Sequence, residues 1–374
     1  MTAEIAILNK LAVALATDSA VTISAGRQEQ KIYDSADKLF DLSAKNPIGI
    51  MIFNGMQFMQ APLQSLISDY RAQCPAFERV RDAADDFLRY LNNWGANSPE
   101  PVIKKALEQI VLNGLELAND RITKKLEELN PGDDVQTFLE RFKAIPAEVV
   151  SVLINAVSRF DEGRFVGGKL RFTKQRMALL EQIVRENWRG SADVVDGLVQ
   201  LSKLLISRDF LSPGYTGIVI AGFGSKDKFP SLISYTIDGV LFDRLKFAET
   251  NYVDIDRSGD RARVLPFAQK EMVERFLYGL DGNIERQIAV FCKDAVPEIR
   301  NQILAQLEMS EEDLNSLTEE AQNAERAFIN DLQNKRFEEI RSSSRAEIEG
   351  MVEFMPKPEM AKMAEALVNL TSIK

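Results

Sequence analysis

Thr2 is the residue with the most unusual chemical potential in this chain. A small side chain at position 2 is what methionine aminopeptidases accept, and loss of Met1 leaves a single residue with both a hydroxyl and a free α-amine. An α-amine of ordinary pKa, near ~8, can take the hydroxyl proton directly or through water, so nucleophile and base come from one residue. Such a centre needs a cation that lowers the amine's pKa, a carboxylate to hold that cation, and backbone N–H groups for the oxyanion of the attacked carbonyl. Asp18 can supply the carboxylate and Lys38 the cation. Gly55 can supply an N–H where a side chain would obstruct a substrate. Each also has an ordinary reading: a second residue, a turn or strand-end aspartate, a surface lysine, and a glycine that ends a strand.

The absence of histidine from the 374 residues makes this centre the more interesting one. Ser-His-Asp and Cys-His catalysis and imidazole-based zinc sites are excluded, and any hydrolytic base must be a carboxylate, a lysine or an amine. No metal or cofactor is called for. Lys and Arg total 46 against 56 Asp and Glu, a net charge of −10, and no dense basic run occurs, which argues against nucleic acid as a partner. Cys74 and Cys292 are read as reduced, buried thiols. With no basic flank and apolar leader at the start, and no apolar run approaching ~18–20 residues, the expectation is a cytoplasmic protein without a membrane partner.

The elements that must position these groups begin with a hairpin over residues 3–24. Ile5 and Ile7 alternate with small residues, Asn9-Lys10 offers a turn, and Val13, Leu15 and Val21 continue beyond it. A two-residue turn pairs Thr2 with Thr17, and a turn one residue longer pairs Thr2 with Asp18. Either register brings Asp18 beside the chain start. "KLFDLS" (38–43) and "PIGIMIFNG" (47–55) read as further strands, with Lys38 opening the first and Gly55 closing the second. Helical spacing begins at about residue 58 with "FMQAPLQSLISDYRAQ" and dominates to about 209. Within it, "DEGRFVGGK" (161–169) lacks the context of a phosphate loop and reads as a plain loop. Strands return over 217–249, with turns at Gly222-Phe223-Gly224 and Asp238-Gly239. Helices are expected over about 266–280 and 284–307 and from 310, where Ser310 and Asp313 suggest a capping box. The stretch 323–349 reads as a solvated helix with one apolar stripe, and Pro358 falls in the first turn of a last helix. The order strands, helices, strands, helices suits two stacked antiparallel sheets with helices outside.

At this point the chain resembles the proteasome-type subunits of the N-terminal nucleophile (Ntn) hydrolases, the shorter bacterial members above all. The resemblance rests on Thr2, "IAILNKLAVALATDSAVT" (5–22), Lys38 in "DKLFDLS" and "IGIMIFNG" (48–55) leading to the first core helix, with the Thr2 to Asp18 spacing matched without a gap. "GIVIAGFGSKDKFPSLISYTIDG" (217–239) is similar to a later strand, Gly-turn, strand and Asp-Gly turn of that family. Together these cover roughly 1–75 and 213–300. The resemblance implies an α+β fold, a four-layer αββα sandwich formed by 1–75 and 210–308, with a helical insertion at 76–209 and C-terminal helices at 309–374. It implies a threonine peptidase with Thr2 as nucleophile and its amine as base. Asp18 and Lys38 would be the tuning charge pair, with Lys31 the alternative lysine, and Gly55 an oxyanion donor. The partners it implies are a peptide or unfolded-protein substrate, further copies of the chain in a ring or related homo-oligomer, and a separate ATP-dependent unfoldase, since this chain carries no nucleotide-binding motif. Two departures stand out. "VLPFAQKEM" (264–272) puts Ala268 or Gln269 where the family has a supporting serine, and "AEALVNLTSIK" (364–374) reads as helix where the family continues into strands bearing a further aspartate and serine. They favour an alternative function, a catalytically inactive Ntn-fold scaffold that binds partners through its helical regions.

Overall fold

The computed structural model describes residues 3–18, 21–25, 29–33, 37–129, 134–256, 259–307 and 309–372, with backbone alone at 21–25, 29–33, 311 and 372. The first strands are β1 (Ala3–Asn9), β2 (Val13–Thr17), β3 (Val21–Ala25), β4 (Glu29–Tyr33), β5 (Leu39–Asp41), β6 (Ile48–Asn54), β7 (Gln57–Phe58) and β8 (Ala61–Pro62). Helices α1 (Leu63–Gln73), α2 (Val80–Ala96), α3 (Glu100–Glu127) and α4 (Val135–Ser158) follow, then β9 (Arg164–Phe165), α5 (Lys174–Asn187) and α6 (Val195–Ser207). The chain continues through β10 (Thr216–Gly222), β11 (Ser231–Leu241), β12 (Arg244–Asp254) and β13 (Ala262–Ala268). It closes with α7 (Glu271–Tyr278), α8 (Gly282–Leu304), α9 (Glu311–Asp331), α10 (Phe337–Val352) and α11 (Lys357–Ser372). The fold is thus a mixed α+β one with antiparallel sheets. It divides into two compact units, residues 1–36 with 254–374, and residues 37–253.

In the first unit β1 is the middle strand of a three-stranded sheet ordered β13-β1-β2, antiparallel on both sides, and all seven of its residues are buried. Ala3, Ile5 and Ile7 share a core with Val273 and Leu277 of α7 and Met360, Ala364 and Leu367 of α11. Small and β-branched residues at these positions let two helices approach the strand closely. The turn joining β1 to β2 is longer than either register expected from the sequence. Leu8 pairs with Val13, and residues 9–12 form the loop. Asn9 is the cause: its Oδ1 accepts from the amides of Leu11 (2.9 Å) and Ala12 (3.1 Å), an Asx-type turn that takes up two extra residues. Its Nδ2 donates to the carbonyls of Val352 and Met355 at the end of α10, which fixes the loop from the other side.

Further along this unit, the helix expected over about 266–280 is replaced at its start by strand. Pro266, Phe267 and Ala268 pair with Ile5, Glu4 and Ala3, and the helix begins only at Glu271. Asp313 N does bond Ser310 Oγ (3.2 Å) as the capping box requires, and Pro358 lies in the first turn of α11. The 323–349 stretch crosses from α9 to α10 through a π-helical turn at Leu332–Arg336 rather than running as a single α-helix. Cys292 is half-buried on α8, not buried as expected, because that face of the helix is largely open.

The second unit carries a six-stranded sheet ordered β5-β6-β10-β11-β12-β9. Helices α1 and α2 cover one face, where Leu66, Ile67, Tyr70, Phe87 and Leu91 meet Ile50, Ile52, Ile218, Ile220 and Tyr235. Helices α3 to α6 form a second core, with Leu107, Val111, Leu153, Ile183, Leu198 and Leu201, joined by Phe165 of β9 and Leu241 of β11. Their starts follow the sequence: Pro at the opening of α3, and side-chain caps from Asp134 to α4 and Thr173 to α5. Cys74 is buried here as expected.

Three local expectations fail in this unit for identifiable reasons. Residues 57–62 form a tight hairpin before α1 rather than helix, since Gln57 pairs with Pro62 and Phe58 with Ala61. Asp238-Gly239 is no turn: β11 runs on to Leu241, and the reversal falls at Phe242, which takes the left-handed φ of 60°. Gly239 is needed inside the strand, with φ 117° and Met59 Sδ only 3.3 Å from where a Cβ would stand. The 161–169 loop includes β9, which extends the sheet edge through Phe165 opposite Lys246.

Candidate functional site

The start of the described chain is held from both sides. Asp18 N donates to the Ala3 carbonyl at 3.1 Å, so the residue that follows β2 lies opposite the first residue of β1. On the other flank Ala268 is in register with Ala3 at the end of β13. Ala268 has a φ of 56°, in the region that a residue with a Cβ avoids and where backbone strain of about 1–3 kcal/mol is held. Asp18 is half-buried, and the next residue of β1, Glu4, is fully buried between Thr17 and Phe267. Thr2 itself lies outside the described residues.

Lys38 and Gly55 belong to the second unit. Lys38 is not the surface lysine of its ordinary reading: it is 2% exposed, immediately before β5, and its carbonyl accepts from Ile52 N at 2.9 Å. Gly55 follows β6 three residues beyond Ile52, which separates it from Lys38 by about 10 Å along the strand direction. Its glycine has a packing cause, since a Cβ there would stand 2.2 Å from Thr216 Oγ1. Its N–H keeps whatever capacity a backbone donor has, but the missing side chain is accounted for by Thr216. Lys31 sits in β4 opposite Ile23, and only its backbone is described.

The sequence reading missed a buried ion pair. Lys246 of β12 is 1% exposed, with Nζ donating to the carbonyls of Leu205 (2.7 Å) and Phe210 and lying 3.8 Å from Asp238 Oδ2. Burial pushes the Lys246 ammonium down to about 8, against the opposing pull of Asp238 and Asp209. Asp238 in turn accepts from Ser212 N at 3.0 Å and from Ser212 Oγ. The cluster ties the segment after α6 to the sheet. With its amine spent on two main-chain carbonyls, it is a structural clamp. The one sequence signal, an Asp-Gly pair, pointed to a turn instead.

Among the described residues no group of three or more Cys, Asp or Glu side chains is arranged to hold a metal ion. None of their helices is long and apolar enough to cross a membrane. Compared with protein-family models, curated proteins and solved structures, the chain matches none.

Proposed function

We propose that the chain is a threonine hydrolase of the N-terminal nucleophile type, a proteasome-like peptidase built on a four-layer αββα sandwich. The observation that carries this reading is the bracketing of Ala3 by Asp18 and Ala268 at the end of a buried central strand. A reagent at position 2 would then be the immediate continuation of the best-anchored strand of its unit, with a carboxylate as neighbour. The Thr2 hydroxyl, once the preceding residue is removed, attacks an amide carbonyl while the α-amine takes its proton. The leaving amine departs with that proton, and water then cleaves the resulting ester. Asp18 is the carboxylate assigned to tuning the amine. The substrate class is a peptide or an unfolded segment.

One observation favours the scaffold reading instead: neither Ala268 nor Gln269 has the hydroxyl of the serine the resemblance calls for. The two readings part on the mass of the mature N-terminus and on labelling by a threonine-directed β-lactone. The peptidase reading expects Thr2 exposed, labelled, and required, so that Thr2→Ala loses cleavage of small peptide amides while its melting profile is unchanged. A retained Met1 in active material, or undiminished cleavage by Thr2→Ala, overturns it.

A further inference from the structure

The second unit contains a cavity of about 640 Å³, within the ~300–1,000 Å³ range of small-molecule sites, between the β7–β8 hairpin, the last turns of α2 and the first turn of α3. Its two walls are built differently. One is aromatic: Trp94 lies 6.2 Å from Phe58, and Tyr90 packs on Phe87 (6.2 Å) beside Tyr70 (5.2 Å). The other is the hairpin turn, where Met59 and Gln60 have φ of 49° and 66°. Two successive left-handed residues are what a two-residue hairpin turn of this hand requires, and Asn-Gly is the pair that meets it without strain. Met and Gln meet it only with backbone strain. Met59 packs over Gly239 and lines the cavity together with Gln60.

The chemistry of the lining selects a ligand. No charged side chain is among the described residues that line the cavity, so a phosphate or carboxylate would be desolvated there without a partner. A purely apolar ligand fits no better. The Tyr90 hydroxyl, the Trp94 indole N–H and the carboxamides of Gln60 and Asn93 make no hydrogen bond among the described residues, and covering such groups without a partner is unfavourable. What suits the lining is a neutral molecule with an apolar face for the two rings and an edge of groups that both donate and accept. A carboxamide offers both roles, as does a hydroxyl.

We propose that this cavity is a binding site for a neutral hydroxylated ring, a sugar residue, stacked on Trp94 and Tyr90 and hydrogen-bonded by Gln60 and Asn93. The site does not depend on Thr2, so it stands or falls separately from the peptidase reading.

The test uses the full chain. Trp94 and Trp188 are its two tryptophans, so Trp188→Phe leaves Trp94 as the sole reporter of indole emission. Methyl glucoside, methyl galactoside and methyl mannoside are titrated, with glucuronate, cyclohexanol and adenine as charged, apolar and nucleobase controls, and calorimetry on the unmodified chain repeats each titration. The expected result is saturable binding of at least one methyl glycoside, at least tenfold tighter than any control. Gln60→Ala and Asn93→Ala should each weaken it about five- to tenfold while circular dichroism stays unchanged. Gln60→Gly adds a readout that a merely structural turn would not give: it relieves the backbone strain, so the chain melts higher while binding weakens. Failure of every glycoside to saturate, a control that binds as well, or affinities indifferent to Gln60 and Asn93 would each overturn the proposal.

Discussion

Replacing Lys246 by methionine tests the buried ion pair of the second unit. The ordinary lysine value is 10.5, and burial brings Lys246 down to about 8, so between these two values the unfolded chain holds a proton that the folded chain has released. Stability rises with pH wherever the unfolded state binds more protons, so the folded state gains as pH climbs from about 8 toward 10.5. Integrating over the accessible part of that window, from pH ~7 to ~10, gives a gain of roughly 2 kcal/mol. A neutral amine still has two protons, enough for the Leu205 and Phe210 carbonyls; the proton lost is the one that favours Asp238.

The assay is urea unfolding at intervals across that range, with the unmodified chain and Lys246→Met side by side. Tyrosines set the upper limit. Tyr70, raised by burial and by its bond to Asp86, and Tyr235, raised by burial and by Asp85, oppose the trend once the unfolded chain ionises near pH ~10. At pH ~7 the variant should be less stable by about 2–4 kcal/mol, since two buried carbonyls lose their donor and Asp238 loses its cation. The difference between the two chains should then widen, because the variant lacks the rise with pH. Parallel pH profiles would refute the reasoning, whatever the offset between them.

Two further outcomes follow from local geometry. Asn9→Ala removes two accepted and two donated hydrogen bonds from a fully buried side chain, and should lower stability by about 2–4 kcal/mol in denaturant titration. Gly55→Ala should cost about 1–3 kcal/mol through its clash with Thr216 Oγ1, and should cost less when added to Thr216→Ala, where only the Cβ contact at 3.3 Å is left. A double-mutant cycle showing no coupling between the two positions would mean that Gly55 is there for another reason.

What was legible in the sequence is what short-range chemistry decides. The Ile5 and Ile7 alternation, the Pro358 opening of the last helix and the Ser310 cap each depend on residues a few positions apart, and each of these stands where its signals are. The errors fall where a distant partner overrides the local pattern. Ala268 prolongs a strand because Ala3 lies beside it, and Asp238-Gly239 stays extended because Lys246 and Met59 take up its side chain and its missing one. The cavity left no mark in the sequence at all. Trp94 and Tyr90 fall in a stretch of helical spacing with nothing to mark them, and the strain of Met59-Gln60 is a property of two dihedral angles.

The hairpin register shows why a correct spacing can rest on a wrong turn. Thr2 and Asp18 were linked by counting back from a two- or three-residue turn, whereas Asn9 stabilises a four-residue loop and shifts the pairing so that Asp18 meets Ala3. Asp18 still comes to the chain start because a longer loop delays the return strand only by its own extra residues. Register errors alter which side-chain face is shared, since the strand period is two, but they move a strand-end residue along its partner by one position at a time. A hairpin this short therefore tolerates error in its turn and still delivers its last residue to the beginning of the strand. Ala268 could not have been found in the same way. Nothing in a local pattern says which distant strand will close the other side of β1, and only the assembled sheet brings the two flanks to one residue.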